Sequence, residues 1–383
     1  MGEIERKPAI RFAGFTEAWE QCELTKLGRI ETGNTPSTSI EEYYSDTGLL
    51  WVTPTDIISN IIVNTDKKLT TKGIAVARVI PANSILCTCI ASIGKNAFLP
   101  VKCAFNQQIN ALIPFENNDP YFLFTNSYHW SQTMKKGAGG LTFQIVNKTE
   151  FSNIKTHVPE CVEQKKIGQL FYKLDNLITL HQRKFEALSN IKKALLEKMF
   201  PSNGEVTPKI RFAGFTEAWE QCKYKDIFDY ERPDKYIVKS DKYEAGNTIP
   251  VLTANKGFIL GYTSETRTYN NPCIIFDDFT LDSKYVDFKF MVKSSAMKIL
   301  TAKKDNNLYF AFNRLNSSKL ESLGHARHYI SVVQESDTLI PNFEEQDKLS
   351  ELFKKIEDLI TLHQRKCEKL KNIKKALLEK MFV

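Results

Sequence analysis

Apolar residues recur three and four positions apart through two long segments of the chain, residues 163–200 and 345–382. This period predicts two amphipathic helices of about ten turns, each a rod about 57 Å long at 1.5 Å per residue. The segments match at a constant offset, with about 27 of 38 positions identical. A rod of this length cannot hide its apolar stripe alone. We therefore expect the two rods to pair as an antiparallel intramolecular coiled coil.

The predicted coiled-coil interface takes the central stripe positions of both rods: Leu174, Leu177, His181, Leu188, Ile191, Leu195, Leu359, His363, Leu370, Ile373 and Leu377. His181 and His363 occupy equivalent places near the middle of each rod. In an antiparallel pair with pseudo-twofold symmetry the two middles meet. We hypothesise that these imidazoles lie close together as polar residues that fix the register, and not as metal ligands.

A second repeat shows that the chain is a tandem duplication. The leader PAIRFAGFTEAWEQC (residues 8–22) returns as PKIRFAGFTEAWEQC (residues 208–222) with one difference. Each half therefore runs leader, variable region, rod. The predicted division is a first domain at 1–160, a first long helix at 161–200, a linker with the second leader and domain at 201–342, and a second long helix at 343–383.

The variable regions, residues 23–160 and 223–342, differ over most of their length but share an order of elements. Both contain short β-type runs: 50–52, 84–93 and 109–113 in the first, and 249–252, 274–276 and 285–292 in the second. Each then has a helix candidate, Pro120–Lys136 with Asp119 as its cap and Asn306–Leu323. The fold class predicted is α+β, with two mixed α/β globules joined by the rods.

Composition narrows the class of protein. Eight cysteines without a CxxC pattern favour reduced thiols, and we expect Cys87 and Cys89 to be buried thiols rather than metal ligands. No segment reads as a signal peptide or a membrane span, so a cytoplasmic protein is expected. The rods carry net charges of +4 and +3, equal to the +7 of the whole chain. Any nucleic-acid binding by the remaining, neutral part must rest on local patches.

Catalytic motifs are scarce. The sequence has no GxxxxGK[ST] phosphate loop, no GxGxxG and no Asn/Asp-Pro-Pro-Tyr/Phe tetrapeptide of amino-methyltransferases. Asp277, Asp282 and Lys284 could hold Mg²⁺ as in a DNA nuclease, but their spacing is short and the first half has no counterpart. A structural turn or a DNA-facing loop is the favoured interpretation of this segment.

Hydroxyl, amide and basic side chains in turns give the candidate DNA contacts, because hydroxyls and amides can read base edges and cations can bind phosphate. The candidates are Thr35, Ser37, Thr38, Thr53, Thr55, Lys95, Gln107, Lys135, Lys136, Thr142, Lys256, Lys284, His325, Arg327 and His328. Such residues also cap turns, so each alone is a weak signal. Together, without a catalytic motif, they favour recognition over catalysis.

The repeated leader IRFAGFTEAWEQC and the rods, which open with EQ and end in NIKKALLEKMF, closely resemble the specificity subunits of type I restriction-modification systems. The resemblance covers essentially the whole chain. Gly33–Thr38, Trp51–Asp56, Ile93–Lys95, Asn106-Gln107 and Gly140–Phe143 look like signatures of their target-recognition domains. The second region lacks TPST and shows FDDFT at 276–280, which is similar to another subclass.

This resemblance implies a non-catalytic subunit in which each variable region reads a short half-site and the rods set the spacing. It also implies two modification subunits that bring S-adenosylmethionine chemistry on adenine, and restriction subunits recruited later. The chain itself would need no cofactor. Because only identical domains give a palindrome, unequal domains would read a split, asymmetric target. A further alternative is a coiled-coil scaffold without a DNA role. It is disfavoured because the variable regions diverge, whereas the leaders and rods that flank them are nearly identical.

Exchanging residues 23–160 for another recognition domain should change one half of the target and leave the other half intact. The half-sites would be read from the methylated motif of cells that express the exchanged chain. A change in both halves would refute the modular arrangement.

Overall fold

The structure, a computed structural model, describes residues 7–58, 60–90, 92–137, 145–202, 204–240, 242–244, 246–253, 257–278, 280–318 and 329–383. The chain divides into two compact units. Unit 1 comprises residues 1–181 and 365–383, and unit 2 comprises residues 182–364. Among the described helices, none combines the length and the apolarity that crossing a membrane requires.

Unit 1 combines short helices and strands with parts of two long helices. Its short helices are α1 (Leu24–Leu27), α2 (Thr71–Val76), α3 (Pro120–Gly137) and α4 (Lys148–Ser152); the long ones are α5 (Cys161–Met199) and α8 (Phe343–Lys380). Its strands are β1 (Glu20–Glu23), β2 (Gly28–Thr32), β3 (Tyr44–Ser45), β4 (Leu49–Val52), β5 (Lys68–Leu69), β6 (Val79–Ile80), β7 (Ser84–Thr88), β8 (Asn96–Leu99), β9 (Cys103–Phe105), β10 (Ile109–Pro114) and β11 (Lys155–Val158).

These strands form a β1-β11 pair, a four-stranded sheet β2-β10-β7-β8 and a five-stranded sheet β3-β5-β4-β9-β6. Alternation along β7 explains the layers, because successive side chains point to opposite faces of a sheet. Ile85 and Cys87 belong to the apolar cluster with Phe122 of α3, whereas Leu86 packs with Phe105 of the five-stranded sheet. The four-stranded sheet is therefore the middle layer.

Unit 2 repeats this plan with α6 (Tyr224–Ile227), α7 (Leu308–Ser317) and the other parts of α5 and α8. Its strands are β12 (Glu220–Lys223), β13 (Phe228–Glu231), β14 (Ile249–Leu252), β15 (Ile259–Thr263), β16 (Cys273–Asp277), β17 (Ser283–Val286), β18 (Met291–Val292), β19 (Met297–Ala302) and β20 (Asp337–Ile340). The β12-β20 pair and the sheet β13-β19-β16-β17 match unit 1, but the third sheet is β15-β14-β18. We call this third sheet of each unit the outer sheet.

The long helices run antiparallel inside each unit. In unit 1, Asp175 of α5 receives a 2.6 Å hydrogen bond from Lys374 of α8, and the Phe171 and Phe382 rings lie 5.7 Å apart. In unit 2 the equivalent positions make the same contacts: Lys192 binds Glu357 at 2.6 Å, and Phe200 lies 5.7 Å from Phe353. The helix pairing of the predicted fold class is thus present in both units. The division between the two units falls within α5, after residue 181, and within α8, after residue 364. The domain boundaries given from the sequence stay a prediction.

The leader is fixed to the first turn of a long helix by a buried ion pair. The Arg11 guanidinium donates two hydrogen bonds of 2.7 Å to the Glu163 carboxylate, which is 1% exposed. Arg211 and Glu345 repeat this contact at 2.7 Å with the same exposure. Two planar groups bound in parallel give a strong and directional contact.

The glutamine that follows each of these glutamates holds the internal helix of the same unit. Gln164 accepts a hydrogen bond from the Asp119 backbone N–H at 3.0 Å, immediately before α3. Gln346 accepts in the same way from Asn307, immediately before α7, at 3.0 Å. The repeated Glu-Gln pair therefore joins the leader, the long helix and the internal helix.

The leader also covers the end of the opposite long helix. In unit 1, Ile10 donates its backbone N–H to the Lys380 carbonyl at 2.8 Å, and Trp19 contacts Phe382 edge-on at 5.8 Å. A helix end leaves carbonyl groups without intrahelical partners, so this contact acts as a cap. In unit 2, Ile210 binds the Lys198 carbonyl at 2.9 Å and Trp219 contacts Phe200 at 5.9 Å.

Several local predictions from the sequence can be compared with the observed helices and strands. The predicted Asp119 cap is present, since this side chain accepts a hydrogen bond from the Phe122 backbone N–H at 2.7 Å. The predicted strand 84–93 ends at Thr88, because a turn with Gly94 at φ +77° follows. The predicted run 285–292 is divided between β17 and β18. The helix candidate Asn306–Leu323 is observed over Leu308–Ser317, with Asn307 as its cap, and residues 319–323 lie outside the described chain.

Part of the predicted coiled-coil interface remains exposed. Leu174 is buried, and Leu195, Leu370 and Leu377 pack against apolar clusters. Leu188 is half-buried. Four further positions are exposed instead of covered: Leu177 (43%), Ile191 (49%), Leu359 (44%) and Ile373 (39%). The apolar stripe is wider than the surface that one antiparallel helix covers, so its outer edge faces solvent.

The hypothesis on His181 and His363 concerns residues that belong to different units. His181 is the last residue of the first segment of unit 1, and His363 lies in unit 2. Both side chains are half-buried. The antiparallel direction on which the hypothesis depends is observed in each unit, and their proximity stays a prediction.

Replacing Arg11 by Met should destabilise unit 1 by about 3–5 kcal/mol, because it leaves the buried Glu163 carboxylate without its partner. Denaturant unfolding followed by circular dichroism would measure the change. Lys72→Met is the matched control, since its pair with Glu42 is about two-thirds exposed (69% and 68%) and should contribute less than about 1 kcal/mol. Equal losses for both variants would contradict the role given to the buried pair.

Candidate nucleic-acid interface

Loops that follow four strands of unit 1 meet at one end of its sheets. Asn34, after β2, donates its backbone N–H to Phe105 at 3.0 Å, and Asn106, after β9, donates to Val52 at 2.9 Å. Cys89, after β7, donates to the Gln108 carbonyl at 2.9 Å. We call residues 33–38, 53–56, 89–90, 92–95 and 106–108 the strand-end cluster. It contains three of the sequence signatures noted above and residues 53–56 of a fourth, Trp51–Asp56.

Gly33 permits the close contact of two of these loops. A Cβ at this position would overlap the carbonyl oxygens of Phe105 and Asn106. The side chain of Asn34 then fastens the loop, since it donates to the Val76 carbonyl at 2.8 Å and accepts from the Arg78 backbone N–H at 2.5 Å. Close backbone approach is therefore the reason for glycine in the Gly-Asn-Thr-Pro signature.

The predicted contacts Thr35, Thr53, Thr55 and Gln107 are brought into this cluster. Thr35 donates its hydroxyl proton to Gln107 Oε1. Thr53 and Thr55 hydroxyl oxygens lie 2.7 Å apart. Thr55 and Gln107 are exposed, whereas Thr35 and Thr53 are half-buried. Ser37 and Thr38 are exposed on the same loop as Thr35, and the Ser37 hydroxyl contacts that of Ser39 at 2.8 Å.

Basic residues border the cluster at the turn between β7 and β8. Lys95 donates its backbone N–H to the Thr88 hydroxyl at 3.0 Å, and its side chain is exposed. A Cβ on the preceding Gly94 would lie 3.1 Å from Cε of Lys135, near the end of α3. Lys135 therefore lies against the turn that bears Lys95, and two exposed cations at this place could bind phosphate.

The remaining candidates divide by what the structure describes. Thr142, Lys256, His325, Arg327 and His328 lie outside the described residues. Lys136 belongs to α3, but its side chain is not described. Lys284 of β17 is exposed, with its Nζ 5.9 Å from the centre of the Phe258 ring. The site predictions therefore remain predictions, and the structure groups those of the first half most clearly.

The FDDFT segment of unit 2 is described at residues 276–278 and 280, where its two aspartates are tightly bonded. Asp277 is 6% exposed and accepts from the Thr280 hydroxyl at 2.9 Å. Asp278 is 2% exposed and binds Lys298 at 2.9 Å and the Tyr329 backbone N–H at 2.9 Å. Neither carboxylate is presented to solvent. Nowhere in the described chain do three or more His, Cys, Asp or Glu side chains form a group that could hold a metal ion.

Cys87 of β7 and Cys89, the first residue after this strand, are buried, at 0% and 3% exposed. A hydrogen bond with Cys89 and burial together raise the pKa of the Cys87 thiol well above its ordinary value. Cys87 Sγ lies 3.6 Å from the Met134 sulfur. This thiol is protonated and packs as an apolar side chain.

Sequence reasoning missed the residues that hold the exposed side chains in place. Asp56 accepts hydrogen bonds from the backbone N–H of Thr53 at 2.8 Å and of Asp66 at 3.2 Å. Asn34 and Arg78 fasten the neighbouring loop, and Arg78 also donates to the Thr32 carbonyl at 2.5 Å. An Asp three residues after a Thr is a turn signal that could have identified Asp56. The partners of Arg78 are distant in sequence and left no such signal.

Comparison with known proteins gives consistent matches. The family model for the type I restriction modification DNA specificity domain matches residues 16–190 and 216–372. The chain is 46% identical over 125 residues to the type I restriction enzyme EcoR124I/EcoR124II specificity subunit of Escherichia coli, covering 30% of this chain and 31% of that one. It is 28% identical over 244 residues to the MjaIX specificity subunit of Methanocaldococcus jannaschii, covering 61% of this chain and 54% of that one.

A solved structure has the same fold along the chain. The type I restriction-modification S subunit from M. genitalium superposes with a TM-score of 0.73 at 13% identity, covering 98% of this chain and 99% of that one. The chain thus spans about a third to a half of two curated relatives and nearly all of a solved structure. At this identity the structural match concerns the fold alone.

Gly33→Ala should separate the loop 33–38 from residues 105–107 and cost about 1–3 kcal/mol, because the added methyl overlaps backbone atoms. Denaturant unfolding would measure the loss. Gly257→Ala is the control, since a Cβ there meets no atom within 4 Å. Unchanged stability of the Gly33 variant would contradict the close approach described here.

Proposed function

The chain belongs to the type I restriction modification DNA specificity domain family, and on that basis we propose that it is the subunit that reads the DNA sequence for its complex. The observation that carries this proposal is that the two units share a leader, long helices and a four-stranded sheet but have different outer sheets. A five-stranded and a three-stranded sheet carry different loops, so the two units would read different half-sites. The target would be split and asymmetric.

We propose that the chain contributes recognition and no catalysis of its own. Its partners would be double-stranded DNA, two modification subunits that use S-adenosylmethionine to methylate adenine, and restriction subunits, in the cytoplasm. The nuclease alternative lacks support. Of the residues it would use, Asp277 is buried and bonded to Thr280 of its own turn, whereas Asp282 and Lys284 are exposed. The same turn instead joins β19 and Tyr329, which is a structural role.

Two equivalent exposed apolar faces support the number of modification subunits. In unit 1 the exposed positions are Leu177, Leu180 and Ile373, at 43%, 45% and 39%. In unit 2 they are Leu359, Leu362 and Ile191, at 44%, 43% and 49%. The three positions of unit 1 and the three positions of unit 2 are equivalent in the repeated sequence of the long helices. Exposed apolar patches indicate interaction sites, and two matching patches suit two copies of one partner.

Genome-wide mapping of methyladenine tests the proposed function. Cells that contain the modification subunit would be compared with and without this chain. A two-part motif that is methylated only when the chain is present is the expected result. Methylation that does not depend on the chain would contradict a role in recognition, and cleavage by the isolated chain with Mg²⁺ would favour the nuclease.

Charged substitutions on one apolar face should remove one of the two bound modification subunits. Leu177→Lys with Leu180→Lys should weaken binding at unit 1 by roughly a hundredfold or more, because two leucines lose their burial. Native mass spectrometry of the complex would count the subunits. The pair Leu359→Lys and Leu362→Lys should give the same loss at unit 2, and Asn176→Lys, an exposed polar position, is the control. Two retained subunits in the leucine variants would refute these docking faces.

A further inference from the structure

The loop after β4 contains a directed chain of hydrogen bonds. The Thr53 hydroxyl lies 2.6 Å from Asp56 Oδ2 and 2.7 Å from the Thr55 hydroxyl. A carboxylate accepts hydrogen bonds and donates none, so the single hydroxyl proton of Thr53 must point to Asp56. The contact between the two threonines then requires a proton from Thr55. Thr55 therefore donates to Thr53, and Thr53 donates to Asp56.

This order fixes what Thr55 offers to solvent. Its only hydroxyl proton points inward, so its exposed side presents oxygen lone pairs alone. Asp56 is held in turn by the backbone N–H groups of Thr53 and Asp66, which orient its two oxygens. The hydroxyl of Thr55 is consequently a preset acceptor, whereas a free threonine hydroxyl can rotate and serve as either donor or acceptor.

The surroundings of Thr55 form an open, concave site that includes the carboxylates of Asp56 and Asp66. An open cavity of about 340 Å³ is lined by Thr55 together with Trp51, Lys67 and Gln108. Lys67 supplies a cation at this cavity. The Gln108 carbonyl accepts a hydrogen bond from the Cys89 backbone N–H and so connects the cavity to the turn after β7. The edge of a base pair that carries a hydrogen-bond donor is the chemical group that such a lining fits.

We propose that Thr55 accepts a hydrogen bond from an exocyclic amino group of a base in the first half-site, N6 of adenine or N4 of cytosine, and that Asp56 is the positioning residue that fixes this polarity. In the major groove these amino groups are the donors, whereas O6 and N7 of guanine and O4 of thymine are acceptors. Because Asp56 makes Thr55 an acceptor only, Thr55 disfavours contact with these acceptor atoms of guanine and thymine. This inference rests on the proposed recognition of DNA and adds the class of base that one residue reads.

The second unit should lack this device. Its β14 pairs in parallel with β18 as β4 pairs with β9, so Leu252 ends the equivalent strand. The sequence then continues Thr253-Ala254-Asn255-Lys256, with lysine in place of the aspartate. The inference therefore concerns the first half-site only.

The test uses the complex of this chain with its modification subunit on the mapped target duplex. Each adenine or cytosine of the motif is replaced, one at a time, by an analogue without the amino group, purine or pyrimidin-2-one. For the wild type, the analogue at the position read by Thr55 should weaken binding roughly five- to tenfold. For Thr55→Val the same analogue should cause no further loss, which a double-mutant cycle detects.

Two further variants complete the design. Asp56→Asn should reduce the sensitivity to the same analogue, because the Thr55 hydroxyl is no longer forced to accept. Thr47→Val is the matched control, an exposed threonine before the opposite end of β4, and should keep the wild-type pattern.

Three results would overturn the inference. Thr55→Val could show no coupling with an analogue at any position, or coupling with an analogue in the second half-site. Thr55→Val could also weaken binding equally to the target duplex and to an unrelated duplex. The proposed function would still stand in each case, since it fails only if no motif depends on the chain.

Discussion

The buried carboxylate at the start of each long helix is the contact on which the rest of the unit depends. Glu163 and Glu345 are each 1% exposed, and each binds the arginine of a leader. An ionised carboxylate can remain in such a place only if charged and polar donors satisfy it. The adjacent glutamine carries the constraint onward to the internal helix. One dipeptide thus joins three segments that are distant in sequence.

This frame explains how two units can share an architecture and differ in what they bind. The leader, the long helices and the four-stranded sheet make matching contacts in both units, whereas the outer sheets have five and three strands. The loops of unit 1 that bear the candidate contacts follow strands of both sheets. Their polar side chains can therefore vary without disturbing the buried contacts of the frame. Phosphate binding would come from local cations such as Lys95 and Lys135, because the globular parts are neutral overall.

The sequence was most informative where contacts are local or repeated. The period of the rods, the Asp119 cap and the duplicated leader led directly to observed elements, because each signal lies within a few residues of its structural effect. Leu177 and Ile191 were predicted in the coiled-coil interface but are exposed. Helical periodicity gives the width of an apolar stripe, but it does not give the width that one partner helix covers. Asp56 was missed because its function is to orient Thr53 and Thr55. Such roles depend on hydrogen-bond geometry, which only the folded loop supplies.

The central claim is that each frame positions an independent reader and that the two frames are equivalent. The most direct measurement replaces residues 223–342 by residues 23–160, so that both units carry the first reader, and maps the methylated motif in cells with the modification subunit. Because two identical recognition domains give a palindrome, the account predicts a palindrome of the first half-site. A motif that keeps the original second half-site, or that repeats the first in the same direction, would contradict it.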